Sequence, residues 1–312
     1  MTIEALLPNW FAASLWERFP TAILRRLNRG MIRSHIKSSC AVSLRLLLIV
    51  AFIWLAGCGN TATHNPTRLV LTGSSTVAPL ALEIAKRYER DNPGIRVDVQ
   101  TGGSSRGILD TRRGLADIGM VSRALKPSES DLTAHTLARD GVAIIVHAAN
   151  PIEALTSDQI KAIYTGQTAR WHDVGGSDNP ITVVNKAEGR STLEVFLGYL
   201  HLKSSDIKAH TIIGDNEQGI KTVAGNPLAI GYVSIGAAEI NIANGVPIKM
   251  INLDGHRPST AAVADGSYPI SRSLNLITLD APSAASRKFL DYARSTDVHD
   301  LVVQQSFVAV AP

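Results

Sequence analysis

Three times along the chain an apolar strand pattern runs into a loop of glycine and hydroxyl residues and then directly into a helix pattern. The first passage is LTGSSTVAPLALEIAKRY, Leu71 to Tyr88. The second is VQTGGSSRGILD, Val99 to Asp110, and the third is NKAEGRSTLEVF, Asn185 to Phe196. A helix start presents backbone N–H groups without intrahelical partners, together with the positive end of the helix dipole. An anion satisfies both. Glycine lets the backbone come close, and Ser and Thr hydroxyls rotate to suit a ligand. The nucleotide-type loop G-x-x-x-x-G-K-[ST] occurs nowhere in the sequence. These loops therefore suit a whole small oxyanion held mainly by neutral dipoles. One such loop is an ordinary capping device, because Ser and Thr are the commonest caps. Three in one chain are hard to attribute to capping alone.

Around them strand and helix patterns alternate. TRLVLTG is an apolar run closed by glycine, and Leu80, Ile84 and Tyr88 then recur at helical spacing until DNPG stops the helix. IRVDVQ alternates as a strand, RGILDTRRG reads as a short helix, and ADIGMVS as a strand. SESDLTAHTLARDG reads as a helix capped at Ser128, with Asp131 three residues on. VAIIVHA reads as a buried strand. In TSDQIKAIYTG, Thr156 and Gln159 form a capping box and Gly166 ends the helix. PITVVNK, LAIGYVS and PISRSLNLITL supply further strands, and SAASRKFLDYARS a late helix. This alternation predicts an α/β fold with a largely parallel sheet, and its length predicts two lobes. Ligands in such sheets bind beyond the carboxyl ends of the strands.

The chain has 312 residues and a formal net charge of +4, but the excess is local. Residues 1–57 hold seven Lys/Arg against two Asp/Glu; the remainder holds 24 basic and 25 acidic groups. The basicity therefore belongs to the amino-terminal stretch and does not argue for nucleic-acid binding. There, Arg33, Lys37 and Arg45 precede the apolar run Leu46 to Ala56, and LAGC follows, Leu55 to Cys58. Charged flank, short apolar core and small residues before a cut predict a signal peptide over residues 1–57. The apolar run falls short of the roughly 20 residues that span a bilayer. Met31 is a second candidate start, since residues 1–30 add nothing that a leader needs. LAGC resembles the lipobox of bacterial lipoproteins, in which the cysteine becomes the lipidated first residue. The resemblance assigns lipidation to Cys58 and leaves the mature chain without another cysteine, so no disulfide forms within it. The polar, turn-rich residues 58–66 then read as a flexible tether.

TGSSTVAPL, TGGSSRGI, ADIGMVSR, WHDVGG, LAIGYVS and DGSYPISRSL follow one another over Arg68 to Pro312. Each is short, but the ordered set resembles the phosphate-binding component of bacterial ABC importers. That resemblance implies a type II periplasmic binding protein: two α/β lobes joined by crossover strands, closing on an oxyanion, without catalysis or cofactor. It implies inorganic phosphate as cargo, an ABC permease as partner, a monomer, and a place in the cell envelope on the periplasmic or extracellular side. Residues 67–147 with 262–312 are expected to form one lobe and residues 148–261 the other. The matching positions imply ligand contacts from Ser75, Thr76 and the N–H of Val77, from Ser104, and from Ser122 and Arg123. The third loop adds Lys186, Arg190, Ser191 and Thr192.

The sequence departs from the family pattern at two of these places. The third loop usually reads Arg-x-x-Gly-Ser-Gly-Thr, whereas here Lys186 stands for the arginine and Arg190 for the first serine. A planar fork is thereby exchanged for a point charge. Arg123 stands where well-known members place an acid that accepts a proton from phosphate, which arginine cannot do. Sulfate, molybdate or tungstate is therefore an alternative cargo, and anion sensing an alternative output. Arg106, Arg112 and Arg113 are expected to be solvated charges, and Arg272 to brace a lobe or crossover.

An enzyme reading exists as well. Gly103-Ser104-Ser105-Arg106-Gly107 fits G-x-S-x-G between strand and helix, with Ser105 as nucleophile and His256 or His299 as base. It leaves the other two hydroxyl-rich loops unexplained. The nine histidines are scattered, no two at i and i+4, so no metal site is expected.

Overall fold

In the computed structural model, residues 66–310 are described. The leader, Met31, Cys58 and the tether residues up to 65 lie outside them. Strand β1 (Thr67–Gly73) pairs in parallel with β2 (Ile95–Thr101) on one side and β3 (Ile118–Val121) on the other. Helix α1 (Ala78–Asp91) links β1 to β2, and α2 (Ser104–Arg112) links β2 to β3. Leu80, Ile84 and Tyr88 lie on the buried face of α1, as their spacing predicts. Gly73 ends β1 at φ +135°, where α2 and β3 both press on the chain.

Strand β4 (Leu132–His147) is 16 residues long and corrects the sequence reading over its first half. Residues 132–141 were expected to continue a helix; only Pro127–Glu129 turns, as one 3₁₀ segment. The apparent cap is used differently. Arg112 donates to Asp131 and to the carbonyl of Ser128, pinning the turn to α2. Leu132 to Gly141 then pair antiparallel with β11 (Ser271–Leu279), through a register shift at Leu274/Asn275. The polar Thr133, His135 and Thr136 weaken any amphipathic helix, and a full-length partner strand decides the matter.

The second half of β4 pairs antiparallel with β8 (Ala229–Ser234) and β9 (Ile248–Met250). β8 is parallel to β6 (Thr182–Lys186), and β6 to β7 (Thr211–Ile213), while β5 (Ala154–Leu155) and β10 (Asn252–Leu253) pair in parallel as a separate two-stranded sheet. Helices α3 (Ser157–Tyr164), α4 (Ser191–Leu200), α5 (Asn216–Ala224) and α6 (Ile235–Ala243) lie in this half of the chain, and Thr156 and Gln159 form the expected capping box on α3. The chain closes through α7 (Thr260–Ala264), β11, α8 (Ala284–Ala293), α9 (His299–Gln304) and β12 (Val308–Ala309). The sheet is thus parallel in its two flanks and antiparallel where β11, β4 and β8 meet in its middle.

Two main cores follow from this order. Leu71, Ile84, Met120, Leu137, Leu276 and Phe289 belong to one. Ile144, Tyr164, Phe196, Tyr232, Tyr268 and Ile270 belong to the other. Ile145, on the opposite face of β4, packs with Val184 and Ile220 in a smaller cluster behind the second. Along β4 the chain leaves the first core after Ala138 and enters the second at Val142; along β11 it returns between Ile270 and Leu274. The lobe limits expected at 147/148 and 261/262 therefore fall inside the second core. Residues 139–141 and 271–273 lie between the cores.

Gly73 supplies a test of this packing. A Cβ there would lie 2.3 Å from the Met120 carbonyl oxygen, a backbone atom that cannot swing away. Gly73→Ala is expected to destabilise the protein by about 1–3 kcal/mol. Thermal unfolding followed by circular dichroism checks this, at about 2–4 °C per kcal/mol for a body of this size.

Candidate functional site

The carboxyl ends of β1 and β3 and the start of α2 bring three serines together. Ser74 Oγ donates to Ser122 Oγ at 3.0 Å, and the Ser122 N–H donates to Ser104 Oγ at 3.3 Å. All three are buried. Ser74 Oγ also accepts from the N–H groups of Thr76 (3.2 Å) and Val77 (3.4 Å). Ser74 thus does locally what an anion was expected to do for Val77, and it is a residue that the sequence reading passed over for its neighbour. Ser75 is half-buried and lines a groove of about 470 Å³ with Thr76, Pro79, Leu82, Asp215 and Phe307.

The second core supplies the facing wall. β6 ends at Lys186, and the chain passes Gly189 and Arg190 into α4. Below this loop Phe196 and Tyr232 stack at 3.9 Å, with Tyr164 edge-on to Phe196. The Tyr232 hydroxyl donates to Asn185 Oδ1 at 2.6 Å and accepts the Lys186 main-chain N–H at 3.3 Å. The loop is thereby propped from the core. At its end Ser191 Oγ is buried without a hydrogen-bond partner. Burial pushes the Lys186 ammonium down to about 7; the Arg272 and Arg190 charges add to this and Asp215 opposes it.

Between the walls lies Arg272. It pairs in register with Asp140 across β11 and β4, in the stretch between the two cores. Its Nε and Nη2 donate to Asp140 Oδ2 at 3.0 and 2.7 Å. Nη1 donates to Thr192 Oγ1 at 2.8 Å, and Nη2 reaches Thr76 Oγ1 at 3.3 Å. Only 1% of the Arg272 side chain and none of that of Asp140 is exposed. Asn216, at the start of α5, donates to the same Thr76 hydroxyl at 3.2 Å. A hydroxyl from each wall therefore meets one guanidinium. Arg272 had been expected only to brace the crossover. It braces it and also reaches both loops, and RSL in the sequence carries no sign of the second role.

Further contacts join the walls. The Ser105 N–H donates to the Gly189 carbonyl at 3.2 Å. Gly103, at φ +95°, allows this approach, since a Cβ there would lie 2.6 Å from the same oxygen. Arg123 is drawn into an ion-pair cluster. It makes two 2.8 Å bonds to Glu129, donates to the Ala124 carbonyl, and sets Nε 3.0 Å from Glu194 of α4. The Nε–Glu194 contact is an ion pair without hydrogen-bond alignment, which is why both atoms lack a hydrogen-bond partner. Lys126 completes the pairing with Glu194. Burial alone would raise the Glu129 carboxyl, but the bonds from Arg123 and the Lys126 N–H hold it below the ordinary range. Arg123, an expected anion contact, is thus paired with two carboxylates.

Arg190 is half-buried, its side chain between Gly103 and Gly214. Thr76, Thr192, Ser104, Ser122, Lys186 and Ser191 are all buried at the facing strand and helix ends. Ser105 is exposed, and among the described residues no histidine hydrogen-bonds to its hydroxyl. Nor, among them, do three His, Cys, Asp or Glu side chains gather as metal ligands. No described helix is long and apolar enough to cross a membrane.

Two walls of strand and helix ends, crossed by paired β strands and meeting on a buried cation, define a two-lobed binding protein of the type II periplasmic class. Residues 60–297 match the model of the PBP superfamily domain, and the chain belongs to that superfamily. It is 28% identical over 285 residues to the phosphate-binding protein PstS of Bacillus subtilis, covering 85% of this chain and 93% of the relative. PstS of Borreliella burgdorferi is 25% identical, with 85% and 97% covered. A Clostridium perfringens protein assigned to a phosphate ABC transporter, solved with phosphate bound, superposes with a TM-score of 0.73 at 29% identity, covering 78% of this chain and all of that one. An ABC-type phosphate transport receptor from Vibrio cholerae gives 0.66 at 30% identity, with the same coverage.

Asp140→Asn keeps the shape and removes the charge that Arg272 faces. The change is expected to cost about 3–5 kcal/mol, because it strands a buried guanidinium. Replacing both residues together, Asp140→Leu with Arg272→Met, is expected to recover most of that loss. Urea unfolding midpoints of the single and double variants measure both.

Proposed function

We propose that this chain captures inorganic phosphate outside the cytoplasmic membrane and delivers it to an ABC permease, without chemistry of its own. The relatives and neighbours named above, all phosphate-binding or phosphate-transport proteins, support the cargo and the transport role. The observation that carries the reading in this chain is the meeting of Thr76 and Thr192, from opposite walls, on the Arg272 guanidinium. An oxyanion there receives hydroxyls from both walls and a permanent positive charge. Ser75, Thr76, Ser104, Ser122, Lys186, Arg190, Ser191 and Thr192 are the proposed contacts, with Arg272 added. The Val77 N–H and Arg123 take supporting places. The lobes are proposed as residues 67–140 with 272–310, and 141–271. Their closure is a hinge motion of β4 and β11 around the anion. A monomer anchored through lipid at Cys58 fits capture beside a permease.

The test is calorimetric titration of the purified protein with phosphate, sulfate, molybdate and tungstate, with Trp171 emission followed in parallel. One-to-one phosphate binding well below millimolar, with sulfate silent, is the expected result. Tight binding of another oxyanion in its place overturns the cargo. Thr192→Val and Ser104→Ala each leave the ion short of a bond and are expected to weaken binding by about 1.5–3 kcal/mol. Ser105→Ala is expected to change little, because Ser105 faces solvent and meets the other lobe through its main chain.

A further inference from the structure

We propose that anion capture at this site is coupled to proton uptake, with Lys186 protonated when the anion is bound and neutral when it is not. The inference rests on the phosphate reading above and specifies how the site balances charge. Lys186 is only 3% exposed. Among the described residues no carboxylate forms an ion pair with it, and no hydrogen bond leaves its Nζ. An ammonium in that position lacks the counter-charge that a buried cation needs.

The groups around it do not supply the missing charge. On β11 stands Arg272, whose charge is matched by Asp140 of β4. Ahead of α4 stands Arg190, which also opposes a charged Lys186. Ahead of α5 stands Asp215, whose negative charge favours the charged form but makes no ion pair with Lys186 and is set against Arg190 as well; its Oδ1 also caps α5 by accepting the Gln218 N–H. On β8 the Tyr232 hydroxyl faces the Lys186 main chain, and burial keeps it un-ionised. In the loop itself Glu188 is exposed and bonded to Ser204. Beside the far end of β6, His210 accepts the Val183 N–H. Among the described residues Lys186 is therefore a buried cation in this wall without a carboxylate of its own, whereas Arg272 has Asp140. Ser191, buried nearby with its hydroxyl unpartnered, suits the same ligand.

The sign follows from linkage. With the two walls in contact, burial sets the lysine down to about 7. An anion alongside favours the charged form and raises that value. Below neutrality the lysine is already charged and contributes its full attraction. Above it each binding event must first acquire a proton, so affinity falls by up to about tenfold per pH unit until the bound-state value is reached. Arginine at this position would show no such fall, because it never deprotonates in this range.

The experiment is calorimetry of the purified protein with inorganic phosphate at about pH 8.5, where free phosphate is almost all dianion. Two buffers of different ionisation enthalpy are used, for wild type and for Lys186→Arg. Uptake approaching one proton per site in the wild type, absent in the variant, is the expected result. The wild-type Kd should also rise about tenfold relative to the variant between roughly pH 7.5 and 8.5. Uptake that persists in Lys186→Arg puts the proton on the ligand and overturns the proposal, as does no uptake, or release, in the wild type. A second readout requires no variant: carbon-13 NMR of lysine Cε should show one side chain titrating near neutrality without phosphate and well above it with phosphate. Ordinary titration of every lysine without phosphate overturns the proposal. Binding without proton uptake overturns this inference alone, whereas no phosphate binding from about pH 6 to 9 overturns the phosphate reading with it.

Discussion

The buried ion pair of Arg272 and Asp140 is the interaction on which the rest of the site depends. Each residue is the register partner of the other across β11 and β4, at the place where the chain passes between the two cores. Replacing such a pair with apolar residues is often neutral or stabilising, so stability alone does not account for it. Its geometry accounts for it better. Asp140 binds Nε and Nη2, and those bonds aim Nη1 and Nη2 at Thr192 and Thr76. The carboxylate thus fixes the plane of the guanidinium, and the guanidinium fixes where hydroxyls from two walls meet. A lysine could not hold that plane, because a point charge has no fork.

The location of the pair also links recognition to motion. In the reading proposed above the crossing segments serve as the hinge, since the two cores lie on either side of them. A ligand that bonds to Thr76, Thr192 and Arg272 touches both walls and the hinge together. The Arg123–Glu129–Glu194–Lys126 cluster, the Ser105–Gly189 bond and the Asn216–Thr76 bond lie on the same seam. The glycine at 103 belongs with them, because its missing side chain sets how near the second loop comes to the third.

What the sequence disclosed follows a physical division. Local signals were legible. Helical spacing placed α1, the capping box placed α3, and glycine-hydroxyl junctions placed the strand ends that carry Thr76, Ser104 and Thr192. Non-local pairing was not. The first half of β4 has a plausible cap and no clean alternation, and only β11, more than a hundred residues on, makes it a strand. The lobe limits proposed here, 140/141 and 271/272, differ from the expected ones for the same reason, since both lie in that strand pair. Arg272 and Asp140 were opaque as site residues because each looks like an ordinary charge until register places them opposite one another. Arg123 was read from its place in a motif, and its partners Glu129 and Glu194 show why motif position alone did not fix its role. Ser74 and Ser75 differ only in which way the turn points each hydroxyl, which sequence does not encode in a legible form.

Charge counting gives the site its chemical sense. The four-member cluster around Arg123 balances itself, two cations against two carboxylates. Among the groups facing Lys186, Arg272 is cancelled by Asp140, while Lys186 and Arg190 stand against Asp215 alone. The remaining donors are neutral hydroxyls, which orient a ligand but carry no net charge. With Lys186 protonated the cleft is left one positive charge in excess, and with it neutral the cleft is balanced. An anion therefore finds added attraction when the lysine is charged, beside the guanidinium, hydroxyls and helix-start dipoles that are present in either case. The nearby carboxylates are already engaged, Asp140 by a guanidinium and Asp215 by a helix N–H. In the proposed site an oxyanion is thus met by neutral hydroxyls and by the cations Lys186 and Arg190, of which Lys186 is the buried one.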